Sequence, residues 1–400
     1  MPVAPDLLAA AGAANRCALV RATEYARLDH GGIFLNAAGY GPLPASSLQT
    51  LEEYHARRAA AQLGPDSFGA VLPAAREEAA RLVGATAAEI ALVPNTNVGV
   101  NIAASIARQR RLTGDRRRGI VLSAGEFPAN VYPWLALEAD GFQVRPVPTD
   151  ALGRPREEAL LEALAEDDVA VLALSAVQFA SGWRAPLERF GDWCAARDIL
   201  FAVDAIQALG VLPVDVRAAH IDVLACGAQK WLCSPFGTGF AFVRAELCRR
   251  WQPEQPGWLS FRAAEDFSRL CSYQYDLYED ARRFEVGTLA YPEFIAMAGA
   301  LRMLNGIGVT RVWQHVRTLL QPLLDWGAAR TDVIITSATD HDHRSAIVCL
   351  RTGDVARSYD ALSCAGVTCV LREGAIRLSP HCYNTPDEIA AVLELLERAA

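Results

Sequence analysis

Between about residue 90 and residue 250 the sequence alternates short apolar runs with amphipathic stretches, and few folds accept that pattern. Ile90–Val93, Gly119–Ser123, Val169–Ser175, Ile199–Val203, Val223–Cys226 and Gly239–Val243 read as strands buried on both faces. Between them, Val98–Arg108, Ala129–Ala139, Arg156–Ala165 and Leu187–Arg197 carry apolar residues at helical spacing. Parallel strands need a long crossover, usually a helix, so the alternation predicts βαβ units and a mostly parallel sheet covered on both faces. The expected class is α/β.

Near residue 290 the pattern changes. A helical stretch from Pro292 to Leu304 ends at Gly306 and Gly308, and a second runs from about Val309 to Ala329. A strand (Ala346–Leu350), a helix (Val355–Ala365), two short strands and a terminal helix (Pro386–Arg398) follow, the composition of a small α+β domain. We therefore expect an N-terminal segment, 1–40, packed on the small domain, a large domain over 41–290 and a small domain over 291–400. With 52% hydrophobic and 21% charged residues, 400 residues can bury a real core.

The formal net charge is −8, and the Arg runs 108–111 and 116–118 read as a solvated helix end, so nucleic acid is not an expected partner. Ten cysteines form no C-x-x-C pair and lie mostly in apolar runs, which suits free buried thiols in a reducing compartment. The apolar N-terminus lacks a basic leader region. Asp204 interrupts the longest buried run, Ile199–Val214, well short of a membrane span. A cytoplasmic protein with no membrane association is the expectation.

Against thirty-seven arginines the chain holds one lysine, Lys230. Arginine serves wherever a fixed positive charge is enough, but it cannot lose its proton and attack a carbonyl as a desolvated lysine can. Chance survival on the surface is the competing explanation, and the surroundings decide. Three strand ends carry polar residues where open α/β sheets bind ligands. Pro94-Asn-Thr-Asn-Val-Gly99 opens a helix, where Thr96 and Asn97 could hold a phosphate or Thr96 could simply cap the helix. Asp204 ends an apolar strand and needs a cationic partner, with Gln207 three residues on; capping the next helix is an equal alternative for Asp204. Cys226-Gly-Ala-Gln229-Lys230-Trp231 delivers the lysine to the same edge.

In this combination and order the three segments resemble the pyridoxal phosphate site of the class V aminotransferase superfamily. This fold-type I group includes cysteine desulfurases and isopenicillin N epimerase-like proteins. Glu126-Phe-Pro-Ala-Asn-Val-Tyr-Pro-Trp134, Arg283-Phe-Glu-Val-Gly-Thr288 and Arg377-Leu-Ser-Pro-His-Cys-Tyr-Asn-Thr385 are similar to further family segments, in the expected order. The resemblance spans about Phe34 to Leu396. It implies a seven-stranded, mostly parallel sheet in the large domain and pyridoxal 5'-phosphate as cofactor. By the same resemblance Lys230 would hold the cofactor as a Schiff base and Asp204 would keep its ring nitrogen protonated. Gln207 would bond the ring oxygen and Phe127 would stack on the ring. Thr96, Asn97 and Gln229 would bind the phosphate, with Thr288 reaching the partner's site in a homodimer. Arg377 would clamp an amino-acid carboxylate, unless it serves a structural salt bridge; Asn36 is a further substrate-contact candidate, as is Gln178 if the local register differs from the family's.

Two departures bear on the reaction. Arg372-Glu-Gly-Ala-Ile-Arg377 leaves no room for the cysteine-bearing loop that desulfurases of this group carry before the arginine, and Cys369 reads as packed in a strand. Phe179 stands near the place of an asparagine that helps those enzymes hold the carboxylate. The expectation is therefore a lyase removing a side-chain group by β-elimination, such as C–S cleavage. Epimerisation and transamination stay open, as does a cofactor-binding scaffold without activity. His341 and His343 read as loop residues with no metal, and His381 either lines the site or makes a local hydrogen bond.

Overall fold

The apolar runs form the central sheet. A computed structural model describes residues 13–399. Its strands are β1 (Ile33–Phe34), β2 (Ile90–Leu92), β3 (Gly119–Ser123), β4 (Gln143–Val147), β5 (Val169–Ser175), β6 (Leu200–Asp204), β7 (Val223–Gly227) and β8 (Gly239–Val243), followed by β9 (Ile334–Ile335), β10 (Val348–Arg351), β11 (Val367–Thr368), β12 (Val370–Arg372) and β13 (Ala375–Leu378). Seven of them make one sheet in the order β2-β8-β7-β6-β5-β3-β4. Only β8 runs antiparallel to its neighbours. The expected α/β class and seven-stranded sheet are what the chain adopts.

Both faces of this sheet are dry, as the unbroken apolar runs require. Leu172, Leu174, Phe201 and Val203 pack into one core, and Val171, Ala173, Leu200 and Ala202 into the core on the opposite face. The helix Thr96–Leu112 covers the second face. It lies so close to the sheet at Gly99 that a Cβ there would stand 2.6 Å from the Cβ of Ala225. The sequence gives no strand signal for β4, because this edge strand is half exposed and contains Arg145 and Pro146. A proline lacks the N–H for a ladder, and an edge tolerates that loss. The helix expected over Ala129–Ala139 is broken into Pro128–Asn130, Tyr132–Ala136 and Leu137–Asp140, the first and last as tight 3-10 turns. Pro128 and Pro133 each start a piece, since proline can open a helix but not continue one.

The C-terminal strands form a second, antiparallel sheet, β12-β13-β10-β9. β1 pairs in parallel with β11, and the bridge Asn36–Ser379 extends the contact, so residues 33–36 lie against this part of the chain. Helices Tyr291–Ile307 and Val309–Ala328 meet at Gly308, whose φ of 88° is the left-handed geometry that suits a glycine. The segment after β5 docks on the small sheet: Cys349 Sγ lies 3.0 Å from the Ala180 carbonyl, and Ala338 N–H donates to Ser181 O at 3.2 Å. Among the described residues no helix is long and apolar enough to cross a membrane.

Candidate active site

Strand directions bring the polar strand ends together. β8 is antiparallel to both β2 and β7, so β2 points the same way as β7 and the parallel strands beyond it. The carboxyl ends of β2, β3, β5, β6 and β7 therefore open on one edge. Asn95 and Thr96 follow β2, Glu126 and Phe127 follow β3, Gln178 and Phe179 follow β5, Asp204 closes β6, and Gln229 and Lys230 follow β7.

Burial pulls the Lys230 amine down to about 8, with Arg377 and Arg372 pushing the same way and Asp204 opposing them. Asp204 is 2% exposed. Burial raises its carboxyl to about 6, against the pull of the Ile206 N–H, 2.9 Å from Oδ1, and of Lys230. The bond to Ile206 is a local turn contact, which leaves the second carboxylate oxygen for another partner. The Lys230 Nζ lies 5.5 Å from the centre of the Phe127 ring, and that ring meets Phe179 edge-on at 5.3 Å. Phe127 is 41% exposed, high for a large apolar side chain beside a buried amine. Gly41 N–H donates to the Gln229 carbonyl at 2.8 Å, and a Cβ on Gly41 would collide with the Lys230 carbonyl. Only glycine lets this turn close over the lysine.

At the end of β2 the helix cap is Asn95, whose Oδ1 accepts Val98 N–H at 3.2 Å. Thr96 is thereby freed from capping, and its hydroxyl oxygen accepts Gly227 N–H at 2.8 Å. A Cβ on Gly227 would stand 2.6 Å from Gln229 Oε1 and 3.2 Å from Thr96 Oγ1, so these side chains converge around that glycine. Asn97 is exposed, as is Thr288. Gln207 is buried, with its Nε2 donating to the Ala38 carbonyl at 3.1 Å and its Oε1 accepting Trp231 Nε1–H at 2.8 Å. One amide hydrogen of Gln207 remains beyond those two bonds.

Arg377, at 2% exposure, makes no ion pair among the described residues. Its Nη1 donates to the Phe179 carbonyl at 2.8 Å, its Nε is buried without a partner, and burial lowers the guanidinium to about 10. The structural salt bridge considered from the sequence is absent among those residues. Asn36 Oδ1 is also buried and unpartnered. Gln178 behaves otherwise than expected: it is buried, and its Nε2 donates to Glu126 Oε1 at 2.6 Å. A buried carboxyl needs donors more than a solvated substrate does, and it has claimed this amide.

Glu126 is the residue that the sequence reading passed over, quoted in a motif but given no role. Burial raises its carboxyl to about 7, opposed by bonds from Ser175 and Asn130 and reinforced by the charge of Asp204. The other motif residues are structural clamps. Glu285 pairs with Arg76 at 2.6 Å and accepts Leu92 N–H at 2.9 Å, while Arg283 donates to the Cys248 and Trp251 carbonyls. His381 Nδ1 accepts Cys382 N–H at 2.7 Å, so Nε2 carries the proton given to the Trp231 carbonyl. This is the local-bond alternative, and burial holds the imidazole at about 4. His343 stacks on Trp183 and bonds Asp340 and Glu157. Before Arg377, residues 372 and 375 pair across a two-residue turn with Glu373 at φ 47° and Gly374 at φ 75°, a hairpin too tight to carry a cysteine loop. Burial pushes Cys369 up to about 11 and Cys349 to about 12.

A family model described as aminotransferase class-V matches residues 33–392. An uncharacterized aminotransferase of Bacillus subtilis (strain 168), YcbU, is 29% identical, with 80% of this chain and 81% of the relative covered. A probable cysteine desulfurase of Methanothermobacter thermautotrophicus is 28% identical, over 93% of this chain and 95% of the relative. Among solved structures, the cysteine desulfurase CsdA of Escherichia coli superposes with a TM-score of 0.81 at 22% identity, covering 96% of this chain and 98% of its own. The cystine C-S lyase C-DES, solved with its product cysteine persulfide, gives 0.78 at 19% identity over 91% of this chain and 96% of its own. Those two likenesses establish a common fold.

Proposed function

This chain belongs to the aminotransferase class-V family, and on that premise we propose that it is a pyridoxal 5'-phosphate-dependent lyase. It would cleave a C–S bond in an amino acid or amino-acid conjugate by β-elimination. One observation carries the reading: the sole lysine is half-buried, its amine 5.5 Å from the Phe127 ring and in the field of Asp204 and of a buried arginine that pairs with no carboxylate among the described residues. Similarity to a probable cysteine desulfurase agrees with C–S chemistry.

The residues fit the cofactor. Asp204 is a desolvated carboxylate suited to a ring N–H, and Gln207 keeps one free amide hydrogen for a ring oxygen. Phe127 offers an aromatic face beside the amine. Thr96, Gln229 and the N-terminus of a 17-residue helix, with Asn97 in its first turn, suit a phosphate. When bound, pyridoxal phosphate supplies an electron sink for negative charge at the substrate's Cα. Lys230 would hold the cofactor through Nζ, and the same Nζ would take the substrate's Cα proton. An amine near 8 can both accept and return that proton at neutral pH. Arg377 binds the α-carboxylate and Asn36 adds an amide contact, while Gln178 serves Glu126. The elimination would release the β-sulfur with its electron pair as a thiol and, with one water consumed, leave a 2-oxo acid and ammonia.

The large part of the chain, 41–290, carries the lysine and the small part, 291–400, carries Arg377, so substrate sits between them. We further assign a homodimer in which Thr288 serves the partner's site. Phe236, Phe267, Tyr273 and Tyr275 are exposed large apolar side chains of the kind a second copy would cover. The test is the visible absorption of the loaded protein as cysteine and cysteine conjugates are added. A band that changes and recovers unaided while 2-oxo acid accumulates is elimination. A lasting pyridoxamine form, restored only by a 2-oxo acid, would make the protein a transaminase and sink the lyase reading.

A further inference from the structure

Glu126 is fully buried one residue before Phe127, and every hydrogen-bond partner it has is a donor. Ser175 N–H reaches Oε1 at 2.9 Å and Gln178 Nε2 reaches the same oxygen at 2.6 Å. Asn130 Nδ2 reaches Oε2 at 3.0 Å, and the Ser175 hydroxyl bonds Oε2 as well. The Asn130 amide cannot turn round, because its Oδ1 accepts Trp134 Nε1–H at 3.2 Å and an indole nitrogen only donates. Of the remaining three donors, the Ser175 backbone N–H is equally fixed in polarity. The serine hydroxyl and the Gln178 amide could reverse, but each carboxylate oxygen still faces one fixed donor, Ser175 N–H on Oε1 and Asn130 Nδ2 on Oε2. Such a cage fits an acceptor with no proton of its own, an ionised carboxylate.

The cage also has a place in the sheet. Ser175 pairs directly with Asp204 across β5 and β6, so Glu126 sits beside the carboxylate assigned to the cofactor ring. Asp204 is the charged group acting on Glu126; the other groups packed on it, from β5, the 126–134 segment and the loop after β5, are neutral donors. Asp204 in turn faces Lys230. Burial raises Glu126 to about 7, so about half of its charge is present at pH 7, rising above that pH and lost on mild acidification.

Resting on the cofactor assignment above, we propose that Glu126 is a positioning residue that works ionised. It clamps Phe127 over Lys230 and places a second negative charge behind Asp204, which favours the protonated states of the cofactor's nitrogens. It would touch neither substrate nor cofactor. Both effects follow from one side chain, and a neutral isostere should lose both. In Glu126→Gln the new amide NH₂ must face one of the two fixed donors, Asn130 Nδ2 or Ser175 N–H.

The experiment is a pH titration of the visible band of the pyridoxal phosphate-loaded protein, without substrate, with the cofactor dissociation constant read alongside. Removing a negative charge near a protonated nitrogen disfavours the protonated form, so the midpoint should fall in Glu126→Gln. The expected shift is about one pH unit, roughly a tenfold loss in proton affinity. Cofactor binding should weaken in the same variant, and Glu126→Asp should restore most of the midpoint. Ser175→Ala keeps the carboxyl but removes a donor, and should move the midpoint the same way by less. It keeps the test available should Glu126→Gln not fold. An unmoved midpoint in a folded variant would overturn the proposal. Failure of the wild-type protein to develop a visible band at all would instead sink the cofactor assignment.

Discussion

A lysine amine near 8 changes what the protein can do at neutral pH. At pH 7 roughly a tenth of such an amine is neutral and nucleophilic, against a few parts in ten thousand for an ordinary lysine. Pyridoxal phosphate uptake by the cofactor-free protein should therefore accelerate with rising pH and level off above about 8, followed by stopped-flow absorbance. A midpoint near 10 would mean that the amine is not desolvated as its surroundings imply. Arg377 separates binding from cofactor chemistry. Replacing it with alanine removes a charged pair with the substrate carboxylate, which costs about 2–3 kcal/mol, on the order of a hundredfold in KM. The visible band should still form without substrate, with its pH midpoint raised because a positive charge near Lys230 is gone. A variant with unaltered KM would return Arg377 to a purely architectural role, holding the Phe179 carbonyl. At this scale the sequence spoke clearly where a residue type is chemically irreplaceable, as with Lys230 and Asp204. It said little where a residue acts through neighbours distant in sequence. Gln178 looked free for substrate because Glu126 lies fifty-two residues earlier, and nothing local announces that the two meet.

Strands and helices were legible in proportion to their burial. β3, β5, β6, β7 and β8 are buried throughout and stand where the runs predicted them, within a residue at either end. β4 was invisible because an edge strand needs no apolar run. The reversed direction of β8 was equally hidden, since pairing is decided by connections and not by composition. Yet that reversal brings β2, and with it Thr96, to the same edge as Lys230. The fit of helix Thr96–Leu112 on the sheet gives a sharp test. A glycine inside an exposed helix usually gains up to about 1 kcal/mol on replacement by alanine. At Gly99 the added methyl would stand 2.6 Å from Ala225, and overpacking of that kind costs about 1–3 kcal/mol. Gly99→Ala should lower the urea midpoint with an unchanged slope. A stabilised variant would mean that the helix can lift off the sheet at no cost.

For the whole molecule, the site is assembled from both ends of the chain. The 36–41 turn closes on Lys230, the strand-end loops supply Thr96, Phe127 and Asp204, and the small sheet brings in Arg377. In the proposed homodimer the exposed Thr288 would serve the partner's site. Sedimentation should then show a dimer, and Thr288→Ala should lose cofactor faster on dialysis. A monomer with full cofactor occupancy would contradict the shared site. The central claim is that Lys230 is the covalent attachment point, and a chain with a single lysine makes this unusually direct to test. Loaded protein is reduced with borohydride, digested, and the modified peptide located by mass spectrometry. The account predicts the pyridoxyl mass on the peptide containing Lys230 and no label in Lys230→Ala. Label confined to the N-terminal amine, or none at all in protein that binds the cofactor, would contradict it.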